Sequence, residues 1–203
     1  MNNPRTHEQE TALYSYRIAS ADMKYIEINT RKIYLRADPV KGLVLRGELP
    51  GCGPSCHASL SEVFLEYSMS CKGCEEPSVM LESVDQFGKR LGTKVASIFL
   101  AEYPERKAQD IVPIIFDCVV ESMGVPFQKE SGRSHQTYQL QESPLGISAG
   151  MSGLKLWVSP AYQGLVAFFE SILQTVGGGW ALHSPKVSDK DYRLLAINLK
   201  KAS

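Results

Sequence analysis

Four of the five cysteines in this chain fall in two short stretches, "GCGPSCH" at 51–57 and "CKGC" at 71–74. Cys52, Cys56, Cys71 and Cys74 spell C-x3-C-x14-C-x2-C. A divalent ion such as zinc takes soft ligands at tetrahedral corners, and a C-x2-C turn aims two sulfurs at one point. Gly51, Gly53, Pro54 and Gly73 supply turn chemistry on both sides. The spacer resembles that of small zinc modules, and His57 could replace one thiolate. The same four sulfurs suit a [2Fe–2S] or [4Fe–4S] cluster, and redox-active or regulatory disulfides are a third reading. A zinc ion held by four thiolates is closed and structural; a cluster would carry electrons or sense. Cys118 is of another kind. It sits in an apolar stretch, where a cysteine acts as a small buried hydrophobe.

Little else in the chain has the spacing of a reactive site. His7, His57, His135 and His183 share no metal-binding interval. No G-x-S-x-G, P-loop or dinucleotide fingerprint is present. "SAGMSG" and "GGG" lack the flanks of a phosphate cradle. The acids at Glu75-Glu76 and at Glu102 and Glu105 read as solvated. Phe116, Trp157, Phe168 and Phe169 could line an apolar ligand pocket, or could simply be core.

The 203 residues are 43% apolar and 22% charged, which is ordinary for a globular chain with a real core. Lys+Arg and Asp+Glu balance at 22 each, so no net charge draws the chain to nucleic acid or an acidic membrane. The opening "MNNPRTHEQETALYSY" has no signal-peptide core, and no stretch nears the roughly 20 apolar residues of a membrane span. A cytoplasmic protein is expected. In a reducing compartment, clustered cysteines are more often metal ligands or redox groups than structural disulfides.

The elements that must position the cysteines are legible as patterns. "LYSYRIA" (13–19), "KYIEIN" (24–29), "KIYLRA" (32–37) and "GLVLRGEL" (42–49) alternate apolar and polar residues between turn formers, so they predict an antiparallel meander. Ile26 and Ile28 point one way, Tyr25, Glu27 and Asn29 the other. Leu60, Val63, Phe64 and Tyr67 predict a short helix between the cysteine pairs, capped by Ser59 or Ser61. Leu81 to Phe99 predicts a long helix with Gly88 and Gly92 on one face, where another backbone can approach closely. A second helix, about 107–123, is apolar all round and should be central, with Pro113 near its start and Gly124 as its stop. "VPFQKE" and "QTYQLQE" predict a hairpin. "SPLGISAGMSG" (143–153) reads as a loop and "LKLWV" as a strand. Ser159-Pro160 opens a third helix to about 176, ended by "GGG". "WALHS" and "YRLLAINL" close the chain as a second hairpin. Grouped strands and helices predict an α+β fold of antiparallel strands with three main helices and a four-cysteine metal segment. The expected units are 1–78, a β region holding that segment (52–74), and 79–203, a ligand-binding-like domain.

"VDQFGKRLGTKVASIF" (84–99) and "AQDIVPIIFDCVVESMGVPF" (108–127) resemble the 4-vinyl-reductase domain family, which shares the fold of the small subunits of the TRAPP vesicle-tethering complex. "AYQGLVAFFESILQTVGGGW" (161–180) and "DKDYRLLAINL" (189–199) extend the resemblance over about 80–199. It implies a dimeric module holding a hydrocarbon-like or aromatic molecule between helices and sheet, in a sensor or accessory role. Such domains often place cysteines around the final hairpin. Here that hairpin, "HSPKVSDKDYR", has none. The resulting expectation is a non-enzymatic, metal-containing sensor or accessory protein, with zinc as its metal. It would bind an apolar small molecule or a protein partner, and form a homodimer. The alternatives are an iron–sulfur redox or biosynthetic protein and a structural assembly subunit.

Overall fold

A computed structural model of the chain describes residues 24–29, 31–38, 42–48, 57–71, 76–141, 143–151, 159–183, 187–188 and 191–201. The fold is α+β, with antiparallel sheets. Strands β1 (Lys24–Ile28), β2 (Arg31–Asp38), β3 (Gly42–Glu48) and β4 (His57–Ala58) form the first sheet in sequence order. The first three are strands of the expected meander, and the alternation holds: Ile26 and Ile28 are buried, Tyr25 exposed; the short β4 was not expected from the pattern. The strands read at 13–19 and in "LKLWV" lie outside the described residues.

Helices α1 (Leu60–Ser70), α2 (Pro77–Glu102) and α3 (Ala108–Ser122) follow. The hairpin β5 (Phe127–Ser131) and β6 (His135–Leu140) leads to α4 (Pro144–Met151) and α5 (Pro160–Val176). Strands β7 (Trp180–His183), β8 (Val187–Ser188) and β9 (Asp191–Lys201) complete a second sheet of order β5-β6-β9-β7, with β8 also on β9. Helix α4 corrects the loop expected at 143–153. Its glycines suggested a loop, yet Pro144 at the first position favours a helical start. Leu145, fully buried, ties the helix into the core.

Ser59 caps α1 with a reciprocal box: its hydroxyl accepts from the Glu62 amide, and the Glu62 carboxylate accepts from the Ser59 N–H. Ser159 stands at the N-cap of α5 but makes no side-chain cap bond there. Pro113 lies inside α3 and has no N–H to give the carbonyl of Gln109. The indole N–H of Trp180 supplies that bond instead, at 2.8 Å. The three glycines before Trp180 all have left-handed φ, +72° to +83°. A side chain at Gly178 would strike the backbone of Ala108 and Gln109. "GGG" therefore ends α5 and also lets the turn close on the first turn of α3.

Helices α2 and α5 cross at backbone contact. A methyl on Gly88 would fall on the carbonyl oxygen of Gly164, and one on Gly92 on that of Phe168. Thr93 and Ser171 hydrogen-bond across the crossing at 2.9 Å, and Ser171 donates to the Lys89 carbonyl at 2.8 Å. The close approach read from the spacing of the two glycines is realised here.

Ile33, Leu45 and Phe64 share one buried cluster with Phe99, Val119 and Leu173, so residues from both sides of 78/79 contribute to the same core. The end of α3 fastens to the first sheet as well. Leu45 N–H donates to Ser122 Oγ at 2.7 Å, and Ser61 Oγ donates to the Met123 carbonyl at 2.9 Å.

Alanine at an exposed helical glycine normally stabilises by about 1 kcal/mol. At Gly88 or Gly92 the clash is with backbone, and overpacking of this kind costs ~1–3 kcal/mol. Gly88→Ala and Gly92→Ala are each expected to lower the urea midpoint with an unchanged slope. A raised midpoint would show that the helices separate at no cost.

Candidate functional site

Of the four cysteines read as ligands, Cys71 is described; Cys52, Cys56 and Cys74 lie outside the described residues. Among the described residues no group of three or more His, Cys, Asp or Glu is placed to hold a metal. Cys71 and Cys118 are not joined in disulfides. Cys118 is buried, as its apolar surroundings predict, and burial pushes its thiol up to about 12.

Cys71 is the C-cap of α1 and half-buried. Its sulfur lies 3.7 Å from Ser83 Oγ on α2. Ser83 Oγ is 3.1 Å from the hydroxyl of Tyr67, one turn back on α1. Tyr67 OH accepts from Asn29 Nδ2 at 2.7 Å, and Asn29 Oδ1 accepts from Arg90 of α2 at 3.3 Å. Asn29 is in the β1–β2 turn with φ +47°, a left-handed conformation that asparagine tolerates better than most residues. The Tyr67 ring stacks on Phe87, centroids 4.1 Å apart and 15° from parallel. Arg31 lies 5.8 Å from the Tyr67 centroid and grips Glu66 through two bonds of 2.7 and 2.8 Å. Cys71, Tyr67, Ser83, Asn29, Arg31, Glu66 and Arg90 thus form one polar cluster, drawn from β2, the β1–β2 turn, α1 and α2.

The direction of α1 follows from its contacts. Gly47, opposite Ile33 in the sheet, lies against Val63, and a methyl there would overlap Val63 Cγ2. Arg31, two residues nearer the start of β2, reaches Glu66, and Asn29 reaches Tyr67. Helix α1 therefore runs antiparallel to β2 and in the same sense as β3. Glu48 and His57 are register partners at the β3 end nearer Cys71. Eight residues of helix carry the chain about 12 Å from Val63 to Cys71. Glu48 lies about 3.3 Å beyond Gly47 in that sense. Glu48, His57 and Cys71, the described residues that flank the cysteine stretches, therefore lie toward one end of the layer.

Three of the four rings read as pocket wall or core are described. Phe116, Phe168 and Phe169 are fully buried. Phe116 and Phe169 have centroids 5.4 Å apart, and Phe168 and Phe169 5.6 Å. Phe168 continues to Phe64, Phe64 to Phe87, and Phe87 to Tyr67. The rings form a continuous aromatic path from α3 to the polar cluster. Trp157 lies outside the described residues.

Sequence reasoning missed Asn29, Tyr67, Ser83 and Arg90 as a cluster. One signal was present: Ser83, Phe87 and Arg90 recur at helical spacing, so they share a face. The contact of that face with Asn29 was not encoded in any local pattern. No protein-family model matches the chain, and no curated protein matches it.

A second polar contact, half-buried, lies beside α3. Tyr138 donates to Asp117 at 2.6 Å, and Lys129 pairs with the same carboxylate. Burial, then the Asp117 charge, raises the Tyr138 phenol well above its ordinary 10; burial pushes Tyr162 up to about 12. The folded state thus keeps protons that the unfolded chain releases. This stabilisation is whole below pH 10 and falls as pH rises beyond it. Tyr138→Phe should make the alkaline fall in unfolding free energy shallower, measured by urea titration from pH 8 to 11. An unchanged slope above pH 10 would contradict this assignment.

Proposed function

We propose that this chain is a non-enzymatic, metal-containing sensor or accessory protein. In this reading Cys52, Cys56, Cys71 and Cys74 hold one zinc ion, which fastens the first sheet to α1 and α2. The observation that supports the reading is that Glu48 and His57, the described residues flanking the first cysteine stretch, and Cys71 at the end of α1 lie toward one end of the layer. Thiolate pairs in turns suit zinc, and two such pairs leave no open position for chemistry. The ion would then give folding energy to a region built from short strands and a short helix.

The module from α2 onward would do the binding. Its order of two helices, a hairpin, further helix and closing strands supports the resemblance to 4-vinyl-reductase domains. The glycine face of α2, on which α5 lies, supports it too. Phe116, Phe168 and Phe169 fill one another's space, which favours a protein partner, or a second copy of the chain, over a small apolar ligand among those rings.

Anaerobically purified protein is expected to be colourless and to carry one zinc per chain by elemental analysis. Stripping the ion with a chelator should lower the urea midpoint. A brown protein with visible absorption and stoichiometric iron would replace zinc by a cluster. Protein free of metal, with all five thiols titrating, would end the metal reading. Size measurement with and without candidate partners tests the assembly role.

A further inference from the structure

We propose that the free edge of β5 is a docking site for an extended, basic segment of a partner protein, which adds to the second sheet as a further strand beside α3. This rests on the protein-partner reading above and is independent of the metal.

The edge follows from the hydrogen-bond pattern. Among the described strands β5 is outermost in the second sheet and pairs with β6 alone. Gly132 N–H donates to the His135 carbonyl and Gln141 N–H to the Pro126 carbonyl, both at 2.9 Å. These pairs continue the β5–β6 register at its two ends. Bonded pairs alternate along an antiparallel ladder. Gln128 and Glu130 therefore bond to β6, while Phe127, Lys129 and Ser131 turn N–H and C=O away from it. Among the described residues none of these outward groups is bonded. Gln128 to Ser131 are exposed. Edges are commonly guarded by a bulge, a covering element or an outward lysine. Here the register is unbroken, and Lys129 is folded onto Asp117, with both carboxylate oxygens within 2.8 Å. The edge is left open to strand addition.

The neighbouring helix selects the occupant. Lys129 stands two residues into β5, and Asp117 five residues before the end of α3. Each step is about 7 Å, so β5 runs back along α3. The solvent-facing side of α3 carries Asp110, Ile114, Asp117 and Glu121, at helical spacing. Three acids there meet one lysine from the strand. Phe127, Lys129 and Ser131 share the α3 side of the sheet, so residues bonded opposite them point to α3 as well. The segment that fits reads basic-x-apolar-x-basic. Its apolar residue lies opposite Lys129, toward Ile114; its basic residues lie opposite Phe127 and Ser131, toward Glu121 and Asp110. A second copy fits poorly, because two-fold pairing of β5 with itself sets two acidic α3 faces against each other.

The test uses the full chain and two synthetic peptides with blocked ends, Thr-Arg-Thr-Ile-Thr-Arg-Thr and the same peptide with Glu for Arg. The arginine peptide is expected to bind and to slow hydrogen exchange at the amides of Phe127, Lys129 and Ser131, read by NMR. The glutamate peptide should do neither. Ser131→Pro removes an outward donor at a position where an edge strand tolerates proline. It should weaken binding about 10-fold, the equivalent of one lost hydrogen bond. Asp110→Lys, on the exposed side of α3, should weaken it too, as should added salt with the parent chain. Binding that leaves those three amides unprotected overturns the proposal. So does equal binding of both peptides, or binding of neither. Protection of the same amides on concentrating the chain alone would make a second copy the occupant, and also overturns it. In each of these cases size measurement with candidate partners still decides the partner reading by itself.

Discussion

The contact of α2 with α5 at bare backbone is the constraint on which the rest of the structure depends. Gly88 and Gly92 on one helix and Gly164 on the other remove the side chains that would hold the axes apart. Ser171 then reaches both the Lys89 carbonyl and Thr93. With the axes that close, Phe168 and Phe169 pass beyond the crossing and meet Phe64 and Phe116 on neighbouring helices. The aromatic core is thus a consequence of the glycine spacing. Glycine lowers helix propensity by roughly 1 kcal/mol at each site, and the packing of the fully buried rings offsets that.

Two further joins extend this pair into a fold. On one side, Gly47 lets Val63 lie directly on the first sheet, and Ser122 satisfies the Leu45 amide. On the other, Trp180 takes the carbonyl that Pro113 leaves without a partner. In each case a polar group left open by one element is closed by a side chain distant in sequence. A buried backbone group without a partner costs about as much as a lost hydrogen bond, so these joins fix relative placement as well as adding energy.

The polar cluster around Cys71 depends on both. Helix α1 is aligned by Gly47 and Val63, and α2 is fixed by α5. Tyr67 and Ser83 are brought together only when both placements hold. Through Tyr67 and Phe87 the cluster adjoins the aromatic path that continues to α3. The described ends of the β3–β4 connection, Glu48 and His57, are register partners at the end of β3 toward which α1 runs.

Period and punctuation determined much by themselves. The alternation at Ile26 and Ile28, the helical recurrence from Val84 to Phe99, the all-round apolar run of α3 and the start of α5 at Pro160 were legible because burial imposes spacing on sequence. Gly88 and Gly92 even announced the kind of contact they make, since no other residue type allows it. Helix α4 was not legible, because Gly146 and Gly150 weigh against a helix locally while its packing through Leu145 is a tertiary matter. The identity of the cysteines as candidate ligands was local too, carried by the C-x2-C and C-x3-C turns. What only the tertiary structure decided is orientation: that α1 runs along β3, that Asn29 of a turn meets Tyr67 of a helix, and that Phe116, Phe168 and Phe169 pack on one another. These depend on contacts between residues dozens of positions apart, and no local spacing records which face of one element meets which face of another.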